Sequence, residues 1–241
     1  MSRSRPAAGG GRWVTVGADR LERWLAGFEE RHGPASCAVA ADEVRFVAAD
    51  GAIATCEVPF PPLLVEPDGP PDSGGGPDVD GRAALVAHAL RPRRVGLLLA
   101  RLGGYAVGVV EGSDIVSAKA GQRHVQGRTA AGGWSQQRFA RRREGQARVA
   151  FEATADAAAL VLLPEAPRLA GLVTGGDRRA VDAVLADARL APLRPLVTGP
   201  FLDVPDPRRK VLEESVAAVR SVRVRVQDPP DAPTSGGSAA D

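Results

Sequence analysis

Lysine is almost missing from this 241-residue chain: Lys119 and Lys210 stand alone among 31 basic residues, and the rest are arginines. Guanidinium groups bind phosphate bidentately and stack on bases, so the bias suits an anionic partner. Aromatic residues make up only 4% of the chain, and Ala, Val and Leu must fill most of any core. Two cysteines, Cys37 and Cys56, are too few for a disulfide framework, and with three histidines they do not suggest zinc. Both are expected as small core residues on adjacent strands. No stretch approaches the roughly 20 apolar residues of a membrane span. The N-terminal MSRSRPAAGGGR lacks the apolar segment of a secretory signal. A cytoplasmic protein with neither membrane nor cofactor is the expectation.

What remains is 44% hydrophobic, enough for a core. Residues 1–11 and 228–241 are rich in Gly, Pro, Ser and Ala and are expected as disordered tails. Between them, 12–227 reads as one α/β domain with a mixed sheet flanked by helices. Strand patterns fall at Trp13–Val16, Cys37–Val39, Val44–Ala48 and Ile53–Val58, with a helix over Ala18–His32. Residues 60–80 carry PFPP and PDGPPDSGGGPD and are expected as a flexible insertion. A short helix at Arg82–Leu90 precedes strands at Val95–Arg101, Ala106–Glu111 and Ser113–Lys119. The longest helical pattern, Ser135–Leu163, places Phe139, Ala150, Ala153, Ala157 and Leu160 on one face, with Arg138, Arg141 and Arg148 on another. Leu172–Thr174 (strand), Arg178–Leu190 (helix), Leu196–Gly199 (strand) and Arg208–Val222 (helix) complete the reading.

Charge is distributed unevenly. Lys119–Arg148 contains Lys119, Arg123, Arg128, Arg138, Arg141, Arg142, Arg143 and Arg148 against one acid, Glu144. That is seven net positive charges in a chain whose total is +2, so everything else sums to −5. A basic island on a mildly acidic protein is the footprint of a polyphosphate partner, and RNA is the first to test. The island also holds a long connection, pliable at Gly127, Gly132 and Gly133, leading to a helix start at Ser135. Unpaired N–H groups at such a start favour an anion. Gln136 and Gln137 fall in its first turn. The connection lacks the Gly-Lys-Ser/Thr ending of a nucleotide-binding loop. No carboxylate cluster suits two-metal chemistry, and no Ser-His-Asp set is legible. His124, beside arginines, reads as a phosphate or solvent contact.

The segment GRTAAGGWSQQRFARRRE resembles the catalytic loop and helix in the middle domain of eukaryotic and archaeal class I peptide release factors. More closely, the chain is similar to bacterial Vms-type, release-factor-like peptidyl-tRNA hydrolases of ribosome quality control. Gly132-Gly133, Ser135 and Arg138-Phe139-Ala140-Arg141 carry the register. The resemblance implies a release-factor middle-domain fold with an RNase H-like layout. It also implies hydrolysis of the ester joining a nascent peptide to tRNA on stalled ribosomes or large subunits, without codon reading. The partners implied are peptidyl-tRNA and the peptidyl transferase region of the large subunit, with no DNA.

One departure is plain: Trp134 stands where release factors place the catalytic glutamine. Gln136 ranks first for that role, ahead of Gln126 and Gln137. A carboxamide does not titrate near neutral pH, so its work would be to position water and stabilise an oxyanion. Gly132 and Gly133 would let the loop enter a narrow site. Trp134 would either stack on a terminal base or anchor the helix start. Arg138, Arg141, Arg142, Arg143 and Arg148 would grip phosphates, and Arg123 and Arg128 would guide the loop. Two alternatives use the same residues: a non-catalytic RNA-binding module built on the helix 135–163, and a nuclease, which the missing carboxylates disfavour.

Overall fold

A computed structural model describes residues 4–7, 10–64, 80–122 and 135–230, leaving the side chains of residue 4 and residues 135–144 outside the description. In chain order the elements are β1 (Ser4–Pro6), β2 (Arg12–Gly17), α1 (Leu21–His32), β3 (Ala35–Val39), β4 (Glu43–Ala48), β5 (Ile53–Glu57) and α2 (Gly81–Leu90). There follow β6 (Arg94–Arg101), β7 (Gly104–Glu111), β8 (Asp114–Gln122), α3 (Ser135–Leu162), β9 (Gly171–Gly176), α4 (Arg178–Leu185), α5 (Arg209–Val219) and β10 (Ser221–Gln227). The chain divides into two compact units, one made of residues 1–91 with 220–241 and the other of Pro92–Val219.

The first unit is built on an antiparallel sheet of order β1-β2-β10-β5-β4-β3. Strands β2, β4, β5 and β10 alternate. Val14, Val16, Val44, Phe46, Ala54, Cys56, Val222, Val224 and Val226 are buried on one face, while the residues between them point the other way. Leu21, Leu25 and Phe28 of α1, spaced for one helical face, pack into that core with Leu85 of α2. Asp80 caps α2, its carboxylate accepting from the N–H groups of Arg82 and Ala83 at 3.1 and 3.0 Å. Arg82 reaches Glu29 of α1 at 2.7 Å, fastening the two helices.

The second unit carries the expected mixed sheet, in the order β8-β7-β6-β9. β6 pairs with β7 antiparallel and with β9 parallel. RVGLLLAR and GYAVGVVE are apolar on both faces because helices cover both faces. On one side α3 and α4 deliver Ala155, Ala158, Leu162, Val181 and Val184 against Leu98, Val107 and Val109. On the other, a side chain at Gly108 would meet Leu212 of α5 at 2.8 Å, so that glycine lets the helix lie close.

Several expectations need correcting. The single sheet is two sheets, one in each unit. Ser4–Pro6, assigned to the tail 1–11, forms an edge strand whose register sets Arg5 opposite Trp13. At the other end Asp228, assigned to the tail 228–241, accepts from the Arg12 guanidinium at 3.0 Å, so order continues past β10. The insertion 60–80 is anchored at both ends: Leu63 is buried and donates to Ala41 at 2.7 Å, and Asp80 is the α2 cap. Residues 65–79 lie outside the described residues.

The helix expected at Arg208–Val222 ends at Val219, and Ser221–Gln227, of which the sequence reading puts only the first two residues in a helix and assigns the rest to no element, forms a central strand. Leu196–Gly199 makes only a single bridge, Val197 to Leu172, because Pro192 and Pro195 hold a 3-10 turn up to Leu196. The α4 helix stops at Leu185 because Asp187 starts that turn, accepting from Arg189 N–H at 2.9 Å. On α3 the buried face runs through Ala150, Thr154, Ala157, Ala158 and Val161, and Leu160 is 63% exposed. Cys37 and Cys56 lie on β3 and β5, with β4 between them, and Cys37 is exposed.

Candidate functional site

The basic island begins on β8, the edge strand of the second sheet. Lys119 is exposed there, and the last ladder partners are Tyr105 with Gly121 and Gly104 with Gln122. Tyr105 fixes this end of the strand. A β-carbon on Gly121 would lie 2.7 Å from its ring, so the tyrosine rests directly on glycine backbone. Residues 123–134 connect β8 to α3 and lie outside the described residues. Arg123, Gln126, Arg128, Gly132, Gly133 and Trp134 are therefore among those without a described place.

α3 begins at Ser135, which puts Ser135, Gln136 and Gln137 in its first turn, as the spacing predicts. The N–H groups of a first turn have no partners within the helix, so this end offers donors to an anion or a developing oxyanion. Arg138, Arg141, Arg142 and Arg143 follow on the next turn and a half of backbone; their side chains are outside the described residues.

Arg148 is the one proposed RNA contact with a described side chain. It is 79% exposed and sits 3.7 Å from Glu152, one turn on. Thirteen residues separate it from Ser135, roughly 20 Å of helix. Arg148 therefore cannot act at the atom that Gln136 serves; any phosphate it holds lies farther along the partner. It also borders a groove of about 450 Å³ between α3 and α4, floored by Ala147, Phe151, Ala155 and Ala183, with Glu152 and Asp187 on the rim. The mixed rim makes this a poor phosphate track.

Below the groove the scaffold is locked by charge. Arg189 lies 2.7 Å from Asp187 and 2.8 Å from Asp156 on α3. Hydrogen bonds from the Arg189 side chain and backbone lower the Asp187 carboxyl to about 2, and the same pairing raises the Arg189 guanidinium. At the far end of the sheet, Arg94 is held between Glu111 at 2.6 Å and Glu165 at 2.8 Å. Sequence reasoning missed Tyr105 and Gly121 as positioning residues. No sequence signal marks them, because the contact depends on how the start of β7 pairs with the end of β8.

The class defined by these features is an α/β unit in which a mixed sheet hands a glycine-containing, basic connection to a long helix. Residues 93–225 match the Actinobacteria/Chloroflexi VLRF1 release factor family, acVLRF1. The chain belongs to that family, and the match spans all of the second unit except its first residue, together with the beginning of β10. Among solved structures, the archaeal translation termination factor aRF1 matches with a TM-score of 0.40 at 16% identity, covering 53% of this chain and 36% of that one. The chain thus spans about a third of that factor's length. A structure described as the Vms1 mitochondrial localization core matches at 10% identity with a TM-score of 0.38, over 89% of this chain and 82% of that one. Dom34 of S. cerevisiae, described as a translation termination-like factor, matches at 10% identity and a TM-score of 0.32, over 89% and 66%. A sequence search of curated proteins found no significant match. Among the described residues, no helix is long and apolar enough to cross a membrane.

Proposed function

We propose that this protein hydrolyses the ester of peptidyl-tRNA on stalled ribosomes or large subunits, without reading a codon. One observation carries the reading: the stretch that matches a release factor family contains the Gly132-Gly133 pair in sequence and, in the first turns of a long helix, Arg138-Phe139-Ala140-Arg141. Gln136, in the first turn, orients the attacking water or supports the tetrahedral oxyanion together with the unpaired N–H groups beside it. Gln126 and Gln137 are the second and third choices. Gly132 and Gly133 admit the loop to an RNA-lined site, and Trp134 stacks on a terminal base. Arg123, Arg128, Arg138, Arg141, Arg142 and Arg143 hold phosphates near the ester, and Arg148 holds one about 20 Å along the helix. No titrating side chain and no metal is required for this role.

The test adds purified protein to stalled ribosome–nascent-chain complexes and follows loss of the tRNA-linked peptide. Gln136→Ala is expected to slow single-turnover release by roughly 100- to 1000-fold, the cost of losing one oxyanion donor. Release should not depend on the codon in the decoding site. Unchanged release in the Gln126, Gln136 and Gln137 alanine variants refutes the glutamine mechanism.

A second reading, a non-catalytic ribosome-binding module, is favoured by Trp134 in the place of the usual glutamine. It predicts salt-sensitive co-sedimentation with ribosomes and no release by any variant.

A further inference from the structure

The solvent-facing side of the six-stranded sheet is a second cationic surface, in the unit that does not contain α3. Its residues line up across the strands rather than along them. Ladder partners run from Arg5 on β1 to Trp13 on β2, Arg225 on β10, Thr55 on β5 and Arg45 on β4. At about 4.8 Å per strand, this row extends roughly 19 Å. Arg223, in the neighbouring row, lies flat over the Trp13 ring with its guanidinium carbon 4.3 Å from the centroid. Arg225 is steadied by donation to the Gly10 carbonyl at 3.2 Å. Among the described residues, the acids on this face sit to one side: Glu57 takes up Arg223 at 3.1 Å, and Glu43 follows it.

We propose that this face binds single-stranded RNA laid across the strands. Arg5, Arg45 and Arg225 contact the sugar–phosphate backbone, and Trp13 with its stacked Arg223 offers a platform for an unpaired base. Two features select RNA over other anionic partners. Planar guanidinium groups match phosphate oxygens two at a time. A tryptophan stacked with one arginine is a stacking surface, of use only to a base free of its own duplex. The proposal does not depend on ester hydrolysis, since it concerns a different sheet in a different unit.

The test uses the full chain carrying Arg138→Ala, Arg141→Ala, Arg142→Ala and Arg143→Ala, so that the basic helix does not mask the sheet. Fluorescence anisotropy with a labelled single-stranded oligoribonucleotide, titrated at several salt concentrations, should still report binding. Adding Arg5→Ala and Arg45→Ala removes two phosphate contacts, which lowers the log–log salt slope by about 1.4. Referred to 1 M salt, that slope corresponds to roughly 25-fold weaker binding at 0.1 M. Arg23→Ala, an exposed cation on α1, serves as the matched control and should leave both quantities alone. Trp13→Phe should keep the affinity, while Trp13→Leu should cost between about fivefold and a hundredfold. Duplex RNA should bind more weakly than the single strand. The proposal is overturned if RNA binding disappears with the helix arginines alone, or if Arg5→Ala with Arg45→Ala changes nothing. It is likewise overturned if polyglutamate competes as well as RNA, which would assign the face to an acidic protein.

Discussion

Replacing Gly121 by alanine sets two effects of known size against each other. Alanine is a better strand residue than glycine by about 0.5–1 kcal/mol, because it surrenders less conformational freedom on folding. Against that, the new β-carbon would sit 2.7 Å from Cε1 and Cζ of Tyr105 and 2.8 Å from its hydroxyl oxygen. Comfortable contact needs about 3.5 Å or more, so the ring must retreat by close to 1 Å. Tyr105 is 9% exposed and has little room to do so. Overpacking of this kind costs about 1–3 kcal/mol, so the clash wins by up to roughly 2.5 kcal/mol and at worst cancels the gain. For a unit of this size, that lowers the melting temperature by up to about 10 °C. Differential scanning calorimetry reads the shift. A double-mutant cycle isolates its cause, since in a Tyr105→Leu background the same substitution should be neutral or stabilising. The reasoning fails if Gly121→Ala raises the melting temperature of the wild-type protein, or if the two substitutions add within about 0.5 kcal/mol.

Other outcomes follow from the same description. Phe28 is 1% exposed and stacked at 6.0 Å on Trp24, so Phe28→Ala should cost about 3–5 kcal/mol and lower the thermal transition of the first unit. With a thiol-specific reagent under native conditions, Cys37 should label and Cys56 should not, because burial pushes the Cys56 thiol up to about 12. Asp187 is ionised with its folded value depressed to about 2 from 3.8. Its stabilising contribution is therefore complete above about pH 4 and is lost as pH falls toward 2. Thermal melts across that range should flatten in Arg189→Ala, and an unchanged acid limb would remove the assignment.

Most strands and helices were legible because their apolar periods are clean, as in GYAVGVVE and the Leu21, Leu25, Phe28 stripe of α1. The failures have physical causes. SVRVRVQ follows a helix without a glycine or proline to mark the break, and only tertiary pairing with β2 and β5 reveals the strand. Leu160 was placed by a helical stripe that, once packed, turned to centre on Ala157 and Ala158. The division into two units was invisible because the strand that completes the first lies more than a hundred residues beyond its neighbours. Within the candidate site, the basic run and the first-turn position of Gln136 could be read from composition and spacing. The support from Tyr105 beneath Gly121 could not, since it depends on which residues face each other across β7 and β8.

That completing strand has a consequence for synthesis. β10 stands between β2 and β5, so when Ile53–Glu57 leaves the ribosome the sheet still lacks its middle. The unit whose strands are translated first is the one that must wait, its apolar face half assembled, while Pro92–Val219 is made and can collapse on its own. A chain arrested before Ser221 would carry the release-factor unit folded and the N-terminal sheet open along two inner edges, a state that chaperones and proteases would recognise at once.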